Sequence, residues 1–499
     1  MTSLFGNSVH STTKQPSTLA STKEKSRALT SSSNNPARPP DTESFHDLGL
    51  CEWICQSTRV MGFRRPTPIQ ACCIPAILQG RDVMGCAITG SGKTAAFALP
   101  ILQTLSEDPY GIYAVVLTPT RELAIQISEQ FIALGAGINT KVCLVIGGLN
   151  MTEQSLQLSR KPHIVIATPG RLRAHLMNAD APTFKKVKYL VLDEADRLLS
   201  AGFESELQMI LDNISDRRQT LLFSATLTTS LVQLESMALK DCLRFDLTTQ
   251  NNMPTQLTQQ YLFVPSHVKM SYLYALLLHL ITEEKRSLED DDDLPTKRMP
   301  TKLRITEKST SLSFSLIIFV NTCQRCQEIS ETLSELHIEN VALHSMMTQI
   351  KRLQSLSTFR NQKTKVLICT DVCSRGLDIP NVDLVLNYDV PKITTDYIHR
   401  VGRTARAHRR GLSITFITQY DVELVQTIED KIDKKLEPYL GINEDHVVKV
   451  LNVVAKANRK AELKLMESGF EDRVKVVKKR KRKQIKKLIR KKAKTAEDA

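Results

Sequence analysis

The sequence predicts an α/β protein made of two tandem doubly wound parallel sheets. Three observations carry that reading. Short aliphatic or β-branched runs alternate with longer amphipathic stretches, the pattern of strands joined by crossover helices. The alternation stops at a polar stretch, 248–258, and then resumes. The length, 499 residues, leaves room for two to four domains at about 100–200 residues each.

Residues 1–43 come first; their Ser, Thr, Asn and Pro content predicts disorder. The first domain is expected over 44–247, with strands at Asp82–Cys86, Ala114–Leu117, Lys141–Ile146, His163–Ala167, Tyr189–Leu192 and Thr220–Phe223. Helices are expected around Ala95–Leu105, Glu122–Leu134 and Glu204–Ile214. Residues 248–258 read as a linker. The second domain is expected over 259–440, with strands at Ser315–Val320, Val341–Leu343, Lys365–Cys369, Leu384–Asn387 and Gly411–Ile417. Its helices are expected at Thr322–Leu336 and Gln349–Asn361. Residues 283–313 hold an unbroken acidic run, Glu289–Asp293, and read as a solvated insertion. Residues 441–499 read as an extension ending in a basic tail.

Charge is concentrated at that tail. The net charge is +14, yet Lys456–Ala499 holds 18 Lys/Arg against 6 Asp/Glu, a net of +12. The remaining body is nearly neutral, and such tails often bind nucleic acid. The run Lys478–Lys483 suits nuclear import or an RNA tether. No apolar run approaches the roughly 18 residues of a membrane span, so no membrane partner is expected. The first 40 residues carry 15 Ser/Thr and one acid but no apolar core, which argues against a secretory signal peptide. The 11 cysteines lie scattered in apolar segments and read as reduced thiols rather than a disulfide framework or a zinc site.

Ala87–Thr94 has the form of a phosphate loop, with Ala at the first Gly position. Thr89, Gly90, Ser91 and Gly92 are small enough for backbone N–H groups to approach phosphate oxygens. The helix that follows adds a favourable dipole. Lys93 offers a cation to the β- and γ-phosphates and Thr94 a hydroxyl to Mg²⁺. Asp193-Glu194-Ala195-Asp196 stands at the end of a buried strand, where α/β sheets bind ligands. Asp193 is placed to hold Mg²⁺, and Glu194 to orient or deprotonate a water. Alone, that tetrad fits an acidic helix cap nearly as well; a phosphate loop 100 residues earlier favours the nucleotide. His399–Arg406 puts several Arg together in the second domain. Arg403 and Arg406, three apart, share a face if helical and could reach a γ-phosphate held by the first domain.

The ordered motif series resembles the DEAD-box ATP-dependent RNA helicases of superfamily 2, over about Phe45–Phe416. It comprises Phe45 with Gly62-Phe63 and Pro66–Gln70, the phosphate loop, Pro119–Ala124, Gly147-Gly148, Thr168–Arg171, Asp193–Asp196 and Ser224–Thr226. The second half has Ile317–Asn321, His344-Ser345 with Gln349 and Arg352, Thr370-Asp371, Ser374–Asp378, Asn387–Asp389 and His399–Arg406. The resemblance implies two RecA-like domains closing over ATP, Mg²⁺ and RNA. It implies that Gln70 reads the adenine edge, Phe45 stacks on the ring, Thr67 supports the pocket and Asp378 contacts the ribose. Ser224, Thr226 and His399 would couple ATP to closure. Thr120, Arg121, Gly147, Gly148, Thr168, Gly170 and Arg171 would line the RNA path on the first domain. Gln349, Arg352, Thr370, Asp371 and Arg375 would do so on the second.

A finer likeness, in Ile317–Cys323, Leu343–Met347 and Thr418–Asp421, is to a nucleolar branch acting in ribosomal RNA maturation. It implies a nuclear, nucleolar monomer acting on pre-ribosomal RNA, with an activating protein partner left open. Two activities need every motif named. One is an ATP-driven RNA remodelling enzyme. The other is an ATP-gated RNA clamp that nucleates a ribonucleoprotein with little unwinding.

Overall fold

The structure, a computed structural model, describes residues 44–88, 90–178, 182–200, 202–226, 231, 234–235, 238–247, 257–289, 312, 314–371, 379, 382–405, 410–470, 472–476 and 479. Of the expected site residues, Thr89, Arg375, Asp378 and Arg406 lie outside these, as do residues 1–43, most of the acidic insertion and most of the basic tail.

The first sheet has seven strands: β1 (Val83–Cys86), β2 (Ala114–Leu117), β3 (Val142–Val145), β4 (Ile164–Ala167), β5 (Tyr189–Asp193), β6 (Gln219–Ser224) and β7 (Leu243–Asp246). They are parallel throughout, in the order β3-β4-β2-β5-β6-β1-β7. Every residue of β1, β2, β4, β5 and β6 is buried, as a parallel sheet covered on both faces requires. Phe97, Phe131 and Phe223 form an aromatic centre on one face, with centroid distances of 6.1 and 5.3 Å from Phe97. Each such ring contributes about 1.5–3 kcal/mol by leaving water. Val115, Leu190 and Leu222 centre the opposite face.

The second sheet repeats the design with β8 (Leu257–Phe263), β9 (Leu316–Phe319), β10 (Asn340–Leu343), β11 (Val366–Cys369), β12 (Leu384–Asn387), β13 (Gly411–Ile417) and β14 (Glu437–Pro438). Its order is β10-β11-β9-β12-β13-β8-β14, again parallel. Both sheets belong to one unit. The helix Lys269–Glu289 carries into the first residues of the acidic insertion. The helix Glu444–Glu467 presents Val447, Val454 and Ala457 to the second core. Among the described residues, no helix is long and apolar enough to cross a membrane.

Strand order places the site. β5, β6 and β1 are neighbours, with Cys86 level with Ser224 and Asp193 level with Phe223. The phosphate loop, Asp193-Glu194 and Ser224–Thr226 therefore open from the carboxyl ends of three adjacent strands, the ligand edge of such sheets.

Candidate active site and nucleic-acid interface

Gly92 ends the phosphate loop at φ 88°, a left-handed conformation that glycine adopts without strain, and the helix Lys93–Glu107 starts there. Lys93 is 9% exposed, and its Nζ donates to the carbonyls of Ala87 (2.5 Å) and Ile88 (3.1 Å). Burial pulls its pKa down; the carboxylates of Asp193, Glu194 and Asp196 oppose that. Gln70 braces the loop from the side. Its Oε1 accepts from Thr67 N at 2.9 Å, and its Nε2 donates to Gly92 O at 3.0 Å. Ser91 Oγ is buried with no hydrogen-bond partner among the described residues.

Asp193 is buried, and its carboxyl is pushed up to about 6 by burial, with Lys93 opposing. Its Oδ1 accepts from Glu194 N at 3.0 Å. Glu194 takes φ 50°, a left-handed conformation costing a non-glycine residue about 1–2 kcal/mol. That turn swings Glu194 onto the cavity wall beside Asp193. Asp196 faces the other way. Its two oxygens accept from Ser224 Oγ (3.0 Å) and Thr226 Oγ1 (3.2 Å). Ser224 and Thr226 thus tie the acidic turn to the end of β6.

One cavity of about 480 Å³ gathers Thr67, Gln70, Gly90, Gly92, Lys93, Thr94, Asp193 and Glu194 from the first domain and Arg403 from the second. Asp193 and Thr94 give it hard oxygen donors, the type a small divalent cation takes. Arg403 is 1% exposed, and its Nε donates to His399 O at 3.4 Å. His399 is buried beneath it. Phe45 is corrected: it is 4% exposed in the first core with Leu48 and Leu50. The aromatic ring on the cavity wall belongs to Phe63. Sequence distance alone does not say which of two nearby rings faces a cleft.

A second cavity, about 380 Å³, is lined by Pro119, Arg121, Gly147, Thr168, Gly170, Arg171 and Phe203. Five of the residues expected along the first-domain RNA path meet there. The Arg121 guanidinium lies over Gly147 and Gly148, whose added Cβ atoms would stand 3.0 and 2.6 Å from its nitrogens. Burial and the charges of Arg352 and Arg171 lower the Arg121 pKa, and Glu122 opposes them. A phosphate there would relieve the crowded guanidiniums. Thr120 stands apart, its Oγ1 accepting from Leu123 N at 3.4 Å as a helix cap. Phe203 was not foreseen; it has no place in the motifs read from sequence.

On the second domain, Gln349 and Arg352 turn to protein instead of an open path. Gln349 Nε2 donates to Glu122 Oε1 at 2.9 Å, and Arg352 meets Glu122 Oε2 at 2.8 Å. Arg352 and Glu122 side chains are 6% and 1% exposed, so two residues expected along the RNA path also clasp the domains together. Asp371 is gripped by both arms of Arg400, at 2.6 and 2.9 Å. Arg400 also donates to Asn321 Oδ1 (3.0 Å) and Asp389 O (2.7 Å). The Asp371 carbonyl accepts from Arg197 of the first domain at 3.4 Å. Thr370 Oγ1 is buried with no hydrogen-bond partner among the described residues. Glu122, Arg197, Asn321 and Arg400 were missed as site residues because their roles are long-range pairings; each nonetheless sits in or beside a motif.

Known proteins share this arrangement. Residues 67–234 match the family model described as DEAD/DEAH box helicase, and residues 301–408 match the helicase conserved C-terminal domain. A human protein named "Probable ATP-dependent RNA helicase DDX49" is 47% identical over 444 residues, covering 88% of this chain and 86% of its own. The "ATP-dependent RNA helicase DBP8" of Yarrowia lipolytica is 43% identical over 445 residues, covering 88% and 94%. Among solved structures, S. cerevisiae Dbp5 bound to RNA and ADP BeF3 aligns with TM-score 0.69 and 25% identity, covering 83% of this chain and 100% of that one. The motifs, the two-sheet architecture and the relatives agree: the chain belongs to the DEAD/DEAH box helicase family.

Proposed function

We propose that the chain is an ATP-dependent RNA helicase. ATP binding and RNA binding close its two domains, and hydrolysis reopens them after local strand separation or ribonucleoprotein remodelling. The observation that carries this is the helix Arg121–Leu134. Its first residue, Arg121, lines the Arg-rich cavity, and Glu122 makes the clasp to the second domain. Leu123, Gln126, Ile127 and Gln130 line the phosphate-loop cavity. One rigid element therefore touches both ligand sites and the domain junction, as a coupled ATPase needs.

Lys93 leaves its carbonyls to take up β- and γ-phosphate charge, while Gln70 holds the loop and reads the adenine edge. Asp193 and Thr94 would hold Mg²⁺, which would neutralise phosphate charge. Glu194 orients and deprotonates the attacking water. Arg403 crosses from the second domain to offset charge developing on the γ-phosphate. The ties from Asp196 to Ser224 and Thr226 carry the acidic turn's state toward the junction. No feature of the described residues favours the clamp alternative. The resemblance to the nucleolar branch and the basic tail support pre-ribosomal RNA as the substrate and the nucleolus as the location.

The test is steady-state ATPase with and without single-stranded RNA, beside matched DNA, for the wild type and Glu194→Gln. RNA-specific stimulation is expected, lost in the variant with ATP binding retained. Equal stimulation by DNA, or full turnover in the variant, rejects the assignment.

A further inference from the structure

The chain turns back after the long C-terminal helix. Past Glu467 it passes through Gly469 at φ +62° and is helical again at Phe470 and 472–476. The turn brings Phe470 and Val474 onto Leu465, and Met346 of the second domain packs against this cluster. The Phe470 ring meets the His344 ring edge-on, with centroids 5.8 Å apart and planes at 78°. His344 is 1% exposed. Its Nδ1 accepts from Met346 N at 3.3 Å, and its Nε2 lies 2.9 Å from Gln327 Oε1. With Nδ1 accepting, the ring is the neutral tautomer that donates through Nε2.

His344 opens the short turn between β10 and the helix Gln349–Arg360. Thr348 caps that helix, its Oγ1 accepting from Lys351 N at 3.4 Å. The first residue of that helix, Gln349, and Arg352 one turn on are the two that hold Glu122. A continuous chain of contacts therefore runs from Phe470, through His344 and the turn, to the clasp.

We propose that Phe470 is a positioning residue for domain closure. Its ring seats His344, and His344 sets the turn from which Gln349 and Arg352 reach Glu122. Without the ring, the turn keeps its hydrogen bonds but loses its outer wall, and two side chains must find one carboxylate from a looser base. The segment past the long helix is then part of the RNA-coupled ATPase and not merely a leader to the basic tail. The proposal rests on the helicase reading.

The experiment uses the full chain and compares wild type, Phe470→Ala, Phe470→Leu, Glu122→Gln and the Phe470→Ala/Glu122→Gln double variant. It reads the RNA concentration for half-maximal ATPase, the RNA-independent rate and the ATP KM. Phe470→Ala should raise the RNA requirement about tenfold, within the usual range of coupling between sites. Its RNA-independent rate and ATP KM should stay at wild-type values, which a merely destabilised domain would not guarantee. Phe470→Leu, which keeps the apolar contact, should restore the wild-type requirement. In the Glu122→Gln background, Phe470→Ala should add almost nothing, because both act through one clasp. An unchanged requirement in Phe470→Ala, or effects that multiply in the double variant, overturns the proposal. If Phe470→Ala does not fold, Val474→Ala in the same cluster carries the test with a smaller shift in the same direction. Should wild type show no RNA stimulation, the helicase reading fails by itself. Closure is then read by fluorescence transfer between labels on the two domains with an ATP analogue, and a closed fraction equal to wild type in Phe470→Ala overturns the proposal.

Discussion

Glu122 and Arg352 meet at 2.8 Å across the two domains with almost no exposure to solvent. Gln349 donates to the other carboxylate oxygen at 2.9 Å. A buried pair of this kind is costly to break from one side, up to about 3–5 kcal/mol, because the remaining charge is stranded. Here the protein has an escape: opening the cleft returns Arg352 to water. Glu122→Gln should therefore shift the open–closed balance and leave each domain folded. The RNA concentration for half-maximal ATPase should rise about 10- to 100-fold, within the scale of that penalty. The unstimulated rate should hold. Loss of the thermal transition of either domain would point instead to a folding defect.

Arg400 invites a different test. It is fully buried, grips Asp371 with two nitrogens, and lies with its guanidinium 5.3 Å from the centroid of the Phe319 ring. Lys cannot reproduce the fork or the stacking. Arg400→Lys should leave Asp371, Asn321 and the Asp389 carbonyl short of donors and cost about 1.5–3 kcal/mol, the scale of a hydrogen bond to a charged group. Denaturant unfolding of the second domain should show the loss. RNA stimulation should fall as well, because the Asp371 carbonyl accepts from Arg197 of the other domain. An unchanged midpoint would mean that the network repacks around Lys.

Much of this was legible before the structure. β2, β12 and β13 fall on their expected bounds: β2 is an unbroken apolar run, and β12 and β13 are mostly aliphatic or β-branched. β7 was missed because its Leu243–Asp246 residues are only half-buried at a sheet edge. β8 begins at Leu257, inside the expected linker, since its alternating exposure blends into polar surroundings. The helix Glu444–Glu467 hid in a charged stretch whose buried positions, Val447, Val454, Ala457, Ala461 and Leu465, are few and mostly small. At the site, the phosphate loop and acidic tetrad were readable because local backbone chemistry demands them. The clasp was not, because the motif marks Gln349 and Arg352 but nothing local pairs them with Glu122, 227 residues away from Gln349.

His344 makes stability depend on pH. Burial, then the charge of Arg352, lowers its pKa to about 4. The ring also faces Phe470 and Gln327, neither of which titrates. The folded state therefore binds this proton less readily than the unfolded chain, where histidine titrates near 6.5. Its contribution is fully present above about pH 6.5 and is lost as pH falls toward 4. By pH 5 the loss should be about 2 kcal/mol, from the linkage of about 1.4 kcal/mol per unit. Unfolding midpoints measured from pH 7.5 to 5 should fall accordingly in the wild type and show a flatter slope in His344→Gln. Equal slopes would assign the acid sensitivity elsewhere.

Gln70 and Gly92 make the last test, because one contact serves both adenine reading and loop geometry. Gln70 Nε2 donates to Gly92 O at 3.0 Å, and an added Cβ at Gly92 would stand 2.4 Å from that same nitrogen. Gly92→Ala therefore carries two penalties: about 1–2 kcal/mol for φ +88° in an L-residue, and displacement of Gln70 from its seat. Gln70→Ala removes the brace but leaves the backbone relaxed. ATP affinity, followed with a fluorescent analogue, should fall in both and fall further in Gly92→Ala, by about tenfold or more at that backbone cost. Only Gln70→Ala should narrow the preference for ATP over GTP without distorting the loop. If Gly92→Ala bound ATP as well as Gln70→Ala does, the left-handed turn would not be a requirement of the phosphate loop.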